Sequence, residues 1–508
     1  MHSFIIRGGK IPYRRNGYIM PKTKVPKVLF VTTEAVPFAA TGGMGEVCAS
    51  LPRALVKTGK ADARVMLPLY EDIAYRYKDQ MTFITNINVA LSWRTQYCGL
   101  YELDYNGVKY YFVDNEYYFK RSNIYGYYDD AERFAFFSRA ALELIPYIDF
   151  RPDVLQSNDH LTALVPIYYK LEYKDKTGYG KIKNVFTIHN IGFQGIYPLV
   201  IAGDVFGIAE ENVPLVEYNG KINLVKGAIT ACDYITTMSP QYAREIRLPE
   251  YSSGLDGVLI QHRDKIVGIL NGIDTEKINP ATSSSLFINF DADSIDKKKQ
   301  NKVALQRMLS LPEDPETPML CMIAPMVSYK GYDLLRKTIN KVGPAGNILD
   351  TNIQLVIMGQ GDTDIEGYLT YIQNMYDRRV RTLITYNTDL AAKVLAAADM
   401  CLMPSRTEPC GLTQMMACRY GTVPIVRATG GLIDSIIDVD KEPETGNGFM
   451  FEEYDSDVMD KTITRAVSMY HYHKDEWLAL QKRAMACDFS WEKSAHKYVD
   501  LYKSLMGR

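Results

Sequence analysis

The sequence predicts an α/β protein built from two doubly wound parallel-sheet domains that face one another across a cleft. Three observations lead there. The chain has 508 residues, more than one hydrophobic core supports; two separate stretches alternate short β-branched runs with longer amphipathic runs; and a Gly, Asn, Pro and Ser-rich segment lies between those stretches.

Bulk properties exclude several classes. Hydrophobic residues make up 47% of the chain and charged residues 23%, and no apolar run reaches the roughly 20 residues that span a bilayer. A soluble globular protein is expected. The 58 basic and 60 acidic residues leave a net charge of -2, which gives no electrostatic reason to expect nucleic acid or an anionic membrane as partner. The eight cysteines are scattered and show no Cys-x-x-Cys spacing, so the expected setting is a reducing cytoplasm. Residues 1–25 lack the apolar core of a secretory signal and read as a mobile tail. Met20, just ahead of the first strand, is a candidate alternative start.

The first domain is expected over 26–268. "KVLFVTTE" (27–34) reads as a strand, "GEVCASLPRALVKTG" (45–59) as a helix and "ARVMLPLY" (63–70) as a returning strand. "YNGVKYYFVDNEYYF" (105–119) places bulky residues in alternation about an Asn-Gly pair, which predicts a hairpin. Further strands are expected at 152–159, 183–190 and 233–239. "GILNGIDTEKINPATSSS" (268–285) reads as an interdomain connection. The second domain, expected over 269–488, runs strand (318–325), helix (332–342), strand (353–362), strand (381–387), helix (390–399), strand (400–405), helix (410–421) and strand (422–431). The final amphipathic segment, within 489–508, is expected to be a helix that returns to the first domain.

In open parallel sheets ligands bind at the carboxyl ends of strands, beside helix N-termini. The small-residue loop Thr41-Gly42-Gly43 and the loops after Pro325, Gly359 and Ser405 all fall at such ends. The site is therefore expected in the cleft. Glu408, in "TEPCGLTQ" (407–414), stands on a tight strand-to-helix turn where its carboxylate is suited to accepting hydroxyl groups of a sugar; the alternative is that it only caps the helix. His189, in "TIHNIGFQG" (187–195), ends a strand in a glycine-containing loop, a placement equally compatible with a structural histidine.

At these residues the chain resembles a known family. "PSRTEPCGLTQMMACRYGTVPIVRATGGLIDSI", "TIHNIGFQGIYP", "TTMSPQYAREI", "DFSWEKSAHKY" and the Thr-Gly-Gly loop are similar, in the same order, to the bacterial glycogen synthases and plant starch synthases, over nearly all of 27–505. The resemblance implies the GT-B fold, with two Rossmann-like domains. It implies retaining transfer of glucose from ADP-glucose or UDP-glucose to the non-reducing end of an α-1,4-glucan, the acceptor on the first domain and the donor on the second, with no metal and no other cofactor. Catalytic roles fall to His189, Glu408 and Lys330. Donor contacts fall to Thr41, Gly42, Gly43, Glu46, Asp129, Asn190, Tyr386, Cys410, Gly411 and Leu412, with Tyr386 near the nucleotide base.

Without a divalent ion, protein cations must offset the charge of a diphosphate leaving group. The family places a lysine before Thr-Gly-Gly and an arginine ahead of the lysine matched by Lys330. Here those two positions are Ala40 and Pro325. Losing one transition-state donor commonly lowers rate by about 10² to 10³. Lys330, Arg406 and Arg427 are the remaining candidates to supply charge. A second reading follows: a catalytically impaired paralogue that binds glucan or serves as a scaffold. A third, a phosphorylase or epimerase relative, would in the phosphorylase case need pyridoxal phosphate. Glu46 stands where Asp is usual, and His160 and Leu161 where a tryptophan and a polar residue are typical.

Other signals have plain readings. Tyr105, Tyr110, Tyr111, Tyr117, Tyr118, Tyr125, Tyr127 and Tyr128 are expected to be mostly packing residues, with a glucan track as the alternative. "DKKKQNK" (296–302) reads as a solvated helix start, with a phosphate site as the alternative. "MGQGD" (358–362) carries too few glycines to mark a nucleotide site by itself.

Overall fold

The computed structural model describes residues 25–341, 347–385 and 387–507. All but the last residue of the tail expected over 1–25 lies outside them, as does Tyr386.

The first sheet has nine strands, in the order Ile266–Gly268, Tyr234–Thr237, Lys183–Ile188, Val154–Asn158, Lys27–Val31, Asp62–Pro68, Val108–Asp114, Arg94–Tyr105 and Thr82–Leu91. Neighbours from Ile266–Gly268 to Val108–Asp114 pair in parallel, and the last two strands are antiparallel. The sequence explains this change of character. Val28 to Val31 are all buried, as expected of a parallel strand covered on both faces. In Thr82–Leu91 exposed residues interrupt the buried ones, the mark of a sheet edge with a wet face. The expected hairpin turns at Asn106 (φ 50°) and Gly107 (φ 81°), two left-handed residues whose twist matches that of the strands. A second hairpin, through Ser92 and Trp93, carries no Gly or Asn signal, and its left-handed residue is Ser92 (φ 55°).

The second sheet has six parallel strands: Val380–Ile384, Gln354–Gly359, Met319–Ile323, Met400–Met403, Val423–Arg427 and Phe449–Phe451. Every residue of Gln354–Gly359 and of Met319–Ile323 is buried. The pair in "MGQGD" has a packing reason. A Cβ on Gly359 would stand 2.0 Å from the Ala324 carbonyl oxygen, and one on Gly361 would stand 2.3 Å from that of Met326. The glycines let two neighbouring strand-end loops touch.

The reading of 296–302 as a solvated helix start is corrected. In the helix Lys298–Met308, Lys298 and Lys302 point inward and are 4% and 1% exposed. Spaced by four residues, they share the face that packs on the second core. Lys298 Nζ donates to the carbonyls of Leu395 and Ala396, each at 2.9 Å, and to Thr422 Oγ1 at 2.8 Å. Those carbonyls belong to the last turn of the helix Thr388–Ala397, which has no partners of its own for them. Burial lowers the Lys298 pKa to about 7. Lys302 Nζ meets Asp399 Oδ2 at 2.7 Å. The helix expected over 410–421 is also shorter, Thr413–Arg419, because Gly411 is left-handed (φ 69°) and holds the preceding residues in a turn.

The chain crosses between the sheets at two places that lie side by side. Ile273 N donates to the Phe489 carbonyl at 2.8 Å, and Ile273 pairs in parallel with Ser490. A Cβ on Gly272 would stand 2.4 Å from Trp491 N, so the crossings touch backbone to backbone. The helix Trp491–Leu505 then places Trp491, Ala495, Tyr498 and Tyr502 in the first core, where the Tyr502 hydroxyl donates to the Gln156 side chain. Tyr110, Tyr111 and Tyr118 are core residues of that domain, whereas Tyr117 and Tyr128 are exposed.

The buried pair yields a stability prediction. Lys302→Met strands Asp399 without its cation and lowers the unfolding free energy by about 3–5 kcal/mol, read as an earlier midpoint in urea. Lys299→Met, at an exposed pair with Glu316, leaves the midpoint unchanged.

Candidate functional site

The Thr41-Gly42-Gly43 loop is shaped by a carboxylate that no sequence motif flags. Glu34, 2% exposed, follows the strand Lys27–Val31. Its Oε2 accepts from Thr41 N at 2.7 Å, and its Oε1 accepts from Thr41 Oγ1 at 2.8 Å and from the Tyr125 hydroxyl at 2.7 Å. These bonds fold the loop back on the strand end. Gly42 and Gly43 are then left exposed, with open space where a Cβ would stand. Gly42 precedes the helix Gly43–Lys57, and Glu46 lies half-buried in its first turn. Gly45 must remain small because a Cβ would approach that of Ala40 to 2.6 Å.

His189 follows the strand Lys183–Ile188 directly. Its Nε2 lies 3.0 Å from Asn158 Oδ1, while Asn158 Nδ2 donates to the Val31 carbonyl at 3.1 Å. With that amide orientation Nε2 carries the proton and Nδ1 keeps a lone pair. Burial lowers the His189 pKa to about 3, so the ring is neutral and supplies no positive charge. Asp159 holds the loop in place: its Oδ1 accepts from His189 N at 2.7 Å. Burial pushes the Asp159 carboxyl up to about 7, against the N–H groups of His189 and Asn190, and nearby Glu34 raises it further. Its backbone, at φ 55° and ψ -176°, lies in a region that residues other than glycine rarely adopt. Strain of this kind persists only where surrounding bonds enforce it. Asn190 is half-buried and accepts from Gly192 N at 2.9 Å.

On the facing domain, Glu408 and Lys330 form a nearly buried pair. Lys330 Nζ donates to Glu408 Oε1 at 2.8 Å and to Oε2 at 2.7 Å, and Ser405 Oγ donates to Oε2 at 2.8 Å. Lys330 reaches Glu408 because the chain turns at Gly331 (φ 84°), where a Cβ would stand 2.2 Å from the Pro404 carbonyl oxygen. Cys410 is buried and its thiol is pushed up to about 12 by burial, which leaves it an unreactive packing group. Gly411 and Leu412 complete the turn, and Leu412 is half-buried.

The structure brings these clusters together. Asp159, Glu245 and Glu408 all raise the pKa of the Tyr242 hydroxyl, after the larger effect of burial, and Glu34 and Asp159 act in the same way on Tyr125. Tyr242 OH also accepts from Ile191 N at 3.0 Å. Asp129 stands apart in role, for both of its oxygens are held at 2.7 Å by Arg121. Burial opposes its ionisation, but the Arg121 fork outweighs it and keeps the carboxyl below its ordinary value. Of the other cations, Arg427 donates to the Arg406 carbonyl at 2.8 Å and is turned into the loop. Arg406 lies over Tyr454, 4.2 Å from the ring centroid, with its side chain largely exposed. Pro325 is exposed.

Sequence reasoning missed Glu34, Asp159, Tyr242 and Glu245; it grouped Tyr125 with tyrosines expected to be mostly packing residues, and it named Ser405 only as a strand end. The signal for Glu34 and Asp159 was present, as each is the first acidic residue beyond a buried parallel strand, where orphan backbone donors gather. Among the described residues no group of three or more His, Cys, Asp or Glu is arranged to hold a metal ion. No helix among them is long and apolar enough to cross a membrane.

Two facing α/β domains, with polar strand-end loops and a carboxylate–lysine pair on the second, have the plan of a glycosyltransferase of the GT-B class. The starch synthase catalytic domain model matches residues 27–261, and the glycosyl transferases group 1 model matches 308–477. The chain is 44% identical over 481 residues to the glycogen synthase of Bacillus cereus (strain B4264), covering 94% of this chain and 99% of the relative. It is 42% identical over 482 residues to that of Desulforamulus reducens, with coverage of 94% and 99%. The catalytic domain of starch synthase IV from Arabidopsis thaliana, solved bound to ADP and acarbose, superimposes with a TM-score of 0.87 at 33% identity, covering 96% of this chain and all of that one (100%). Sucrose-phosphate synthase from Thermosynechococcus elongatus shares the fold at a TM-score of 0.60 and 16% identity, covering 95% of this chain and 99% of that one. The protein belongs to the glycogen and starch synthase family of glycosyltransferases.

The buried imidazole generates a pH prediction. Nitrogen NMR of the labelled histidines finds His189 neutral, as the Nε2–H form, at pH 5, where an imidazole of ordinary pKa of about 6.5 is charged. Because its folded pKa lies below the unfolded one, stability associated with this ring is fully present above about pH 6.5 and declines as pH falls toward 3.

Proposed function

We propose that the protein transfers glucose from ADP-glucose or UDP-glucose to the non-reducing end of an α-1,4-glucan, with retention of configuration. The donor lies mainly on the second domain and the glucan on the first. The observation that carries the reading is the Lys330–Glu408 pair, at the ends of the adjacent strands Met319–Ile323 and Met400–Met403.

An ammonium has three donors, and two of those on Lys330 go to Glu408. The third is free to meet a phosphate oxygen, so one side chain links the carboxylate that accepts glucose hydroxyls to the departing diphosphate. Glu408 keeps lone pairs for those hydroxyls, and Lys330 offsets its charge in the nearly dry site. Neutral His189 orients the sugar by hydrogen bonding and leaves the charge balance to Lys330. The exposed Gly42 and Gly43 let backbone N–H groups approach the donor closely. Closure of the cleft excludes the water that would otherwise hydrolyse it. The reaction uses no metal in this reading: Lys330 and backbone donors carry the leaving-group charge.

Ala40 and Pro325 favour a second reading, a chain that binds glucan without efficient turnover. Extended identity to glycogen synthases supports the active one. Radiolabelled glucose supplied as ADP-glucose or UDP-glucose, with glycogen as acceptor, separates them. Incorporation at ordinary enzyme rates is expected, while glucan binding without incorporation would favour the scaffold.

Two sets of variants test the charge argument. Glu408→Gln lowers kcat by about 10² to 10³, and Lys330→Ala weakens both turnover and ADP binding. Ala40→Lys combined with Pro325→Arg raises turnover or nucleotide affinity if diphosphate charge limits the reaction; unchanged constants would mean that the existing donors suffice.

A further inference from the structure

Two short helices, Pro240–Glu245 of the first domain and Gly430–Ser435 of the second, meet across the cleft and exchange carboxylates. Glu245, 5% exposed, ends the first helix. Its Oε1 accepts from Gly430 N at 2.9 Å, and its Oε2 accepts from Thr429 Oγ1 at 3.2 Å. In return, Asp434 Oδ2 accepts from Gln241 N at 2.7 Å. Gln241 Nε2 also donates to Glu245 Oε1 at 3.3 Å, which ties the two halves of the clasp together. Each carboxylate therefore satisfies a first-turn N–H that the opposite helix has no way to satisfy internally.

The segment that Glu245 grips is part of the Glu408 turn. Gly430 is left-handed (φ 46°), and a Cβ on it would stand 2.0 Å from the Glu408 carbonyl oxygen. Gly431 N donates to that same oxygen at 3.0 Å, and a Cβ on Gly431 would stand 2.1 Å from the Cys410 carbonyl oxygen. Segments 429–431 and 408–410 are locked together by backbone contact, with no soft side chain between them. On its other side, the helix that ends in Glu245 holds the His189 loop, through the Tyr242 hydroxyl and Ile191 N at 3.0 Å. One short helix thus touches the backbone blocks that carry both His189 and Glu408.

We propose that Glu245 is a positioning residue that sets the register of the Glu408 turn against the His189 loop, and so of donor against acceptor. The inference rests on the transferase reading above. Transfer between groups held by two separate bodies is sensitive to their alignment, and an error of about 1 Å costs on the order of 10² in rate. A carboxylate serves here because its bonds to N–H and O–H groups are charge-assisted, while its donors on the opposite domain are the Gly430 backbone and Thr429, which move only with that domain. Loss of the clasp leaves donor binding intact, since no nucleotide contact is removed. It misaligns the acceptor and admits water to the glucose.

The test uses the full chain with Glu245→Ala, Glu245→Gln and Asp434→Ala, counting glucose incorporated into glycogen and free glucose released from the donor, with ADP affinity measured by calorimetry. For Glu245→Ala the expected result is a kcat lowered by about tenfold or more, donor KM and ADP Kd within about twofold of the wild type, and a higher ratio of released to transferred glucose. Glu245→Gln keeps an oxygen for Gly430 N and recovers most of kcat. Asp434→Ala, which breaks the other half, repeats the Glu245→Ala pattern and serves if that variant does not fold. Wild-type kcat and release ratio in Glu245→Ala would overturn the proposal, as would equal losses of kcat and ADP affinity shared by Glu245→Gln, the pattern of a destabilised fold. If the wild type itself transfers no glucose from either donor, the functional reading fails separately. Small-angle scattering with ADP then decides the clasp: a larger radius of gyration in Glu245→Ala upholds it, and superimposable curves reject it.

Discussion

The cleft depends on buried carboxylates that are held by backbone and hydroxyl donors rather than by cations. Glu34 takes Thr41 N, Thr41 Oγ1 and the Tyr125 hydroxyl; Asp159 takes the N–H groups of His189 and Asn190; Glu245 takes Gly430 N and Thr429 Oγ1. A buried polar or charged group costs free energy unless its hydrogen bonds are made, so each acid favours the loop shape that supplies them. Glu408 is the exception. Its donors are a serine and a lysine, and the lysine is a side chain free to answer a ligand. The acids with fixed donors shape their loops, and Glu408 is the one of these four that a lysine holds.

Close backbone approach is the second constraint. At Gly272 against Trp491, Gly331 against Pro404, and Gly430 against Glu408, no Cβ fits. The first of these joins the two crossings between the domains, and the other two carry Lys330 and Glu408 to each other. Stiffness is thus concentrated where alignment matters. The reading of the site follows from this: a donor and an acceptor carried by different domains react well only if the loops that hold them have single, enforced conformations.

Charge is sparing in this cleft. With His189 neutral and Arg427 bonded to the carbonyls of Ser405 and Arg406, Lys330 is the buried cation that touches Glu408. Arg406, in that loop, is exposed and stacked on Tyr454. Elsewhere the second domain buries cations for structural ends. Lys298 caps the carbonyl end of a helix and Lys302 pairs with Asp399. A lysine run read along the chain does not reveal which heads turn inward, because that depends on where unsatisfied carbonyls of another helix happen to lie.

The sequence by itself determined the two-sheet plan, since parallel strands buried on both faces must be continuous apolar runs, and it placed His189, Glu408, Lys330 and the Thr-Gly-Gly loop at strand ends, where parallel topology gathers its loops. It also marked the turn at Asn106 and Gly107, because left-handed backbone selects those residue types. The turn at Ser92 escaped for the converse reason: serine has no preference for the left-handed conformation that it adopts there. Tertiary structure alone decided which donors satisfy Glu34, Asp159 and Glu245, that Asp129 is locked to Arg121, and that Lys330 meets Glu408. Most of those pairings join segments far apart along the chain, and even the short-range ones, Thr41 to Glu34 and Arg121 to Asp129, depend on distance and angle, which local pattern does not encode.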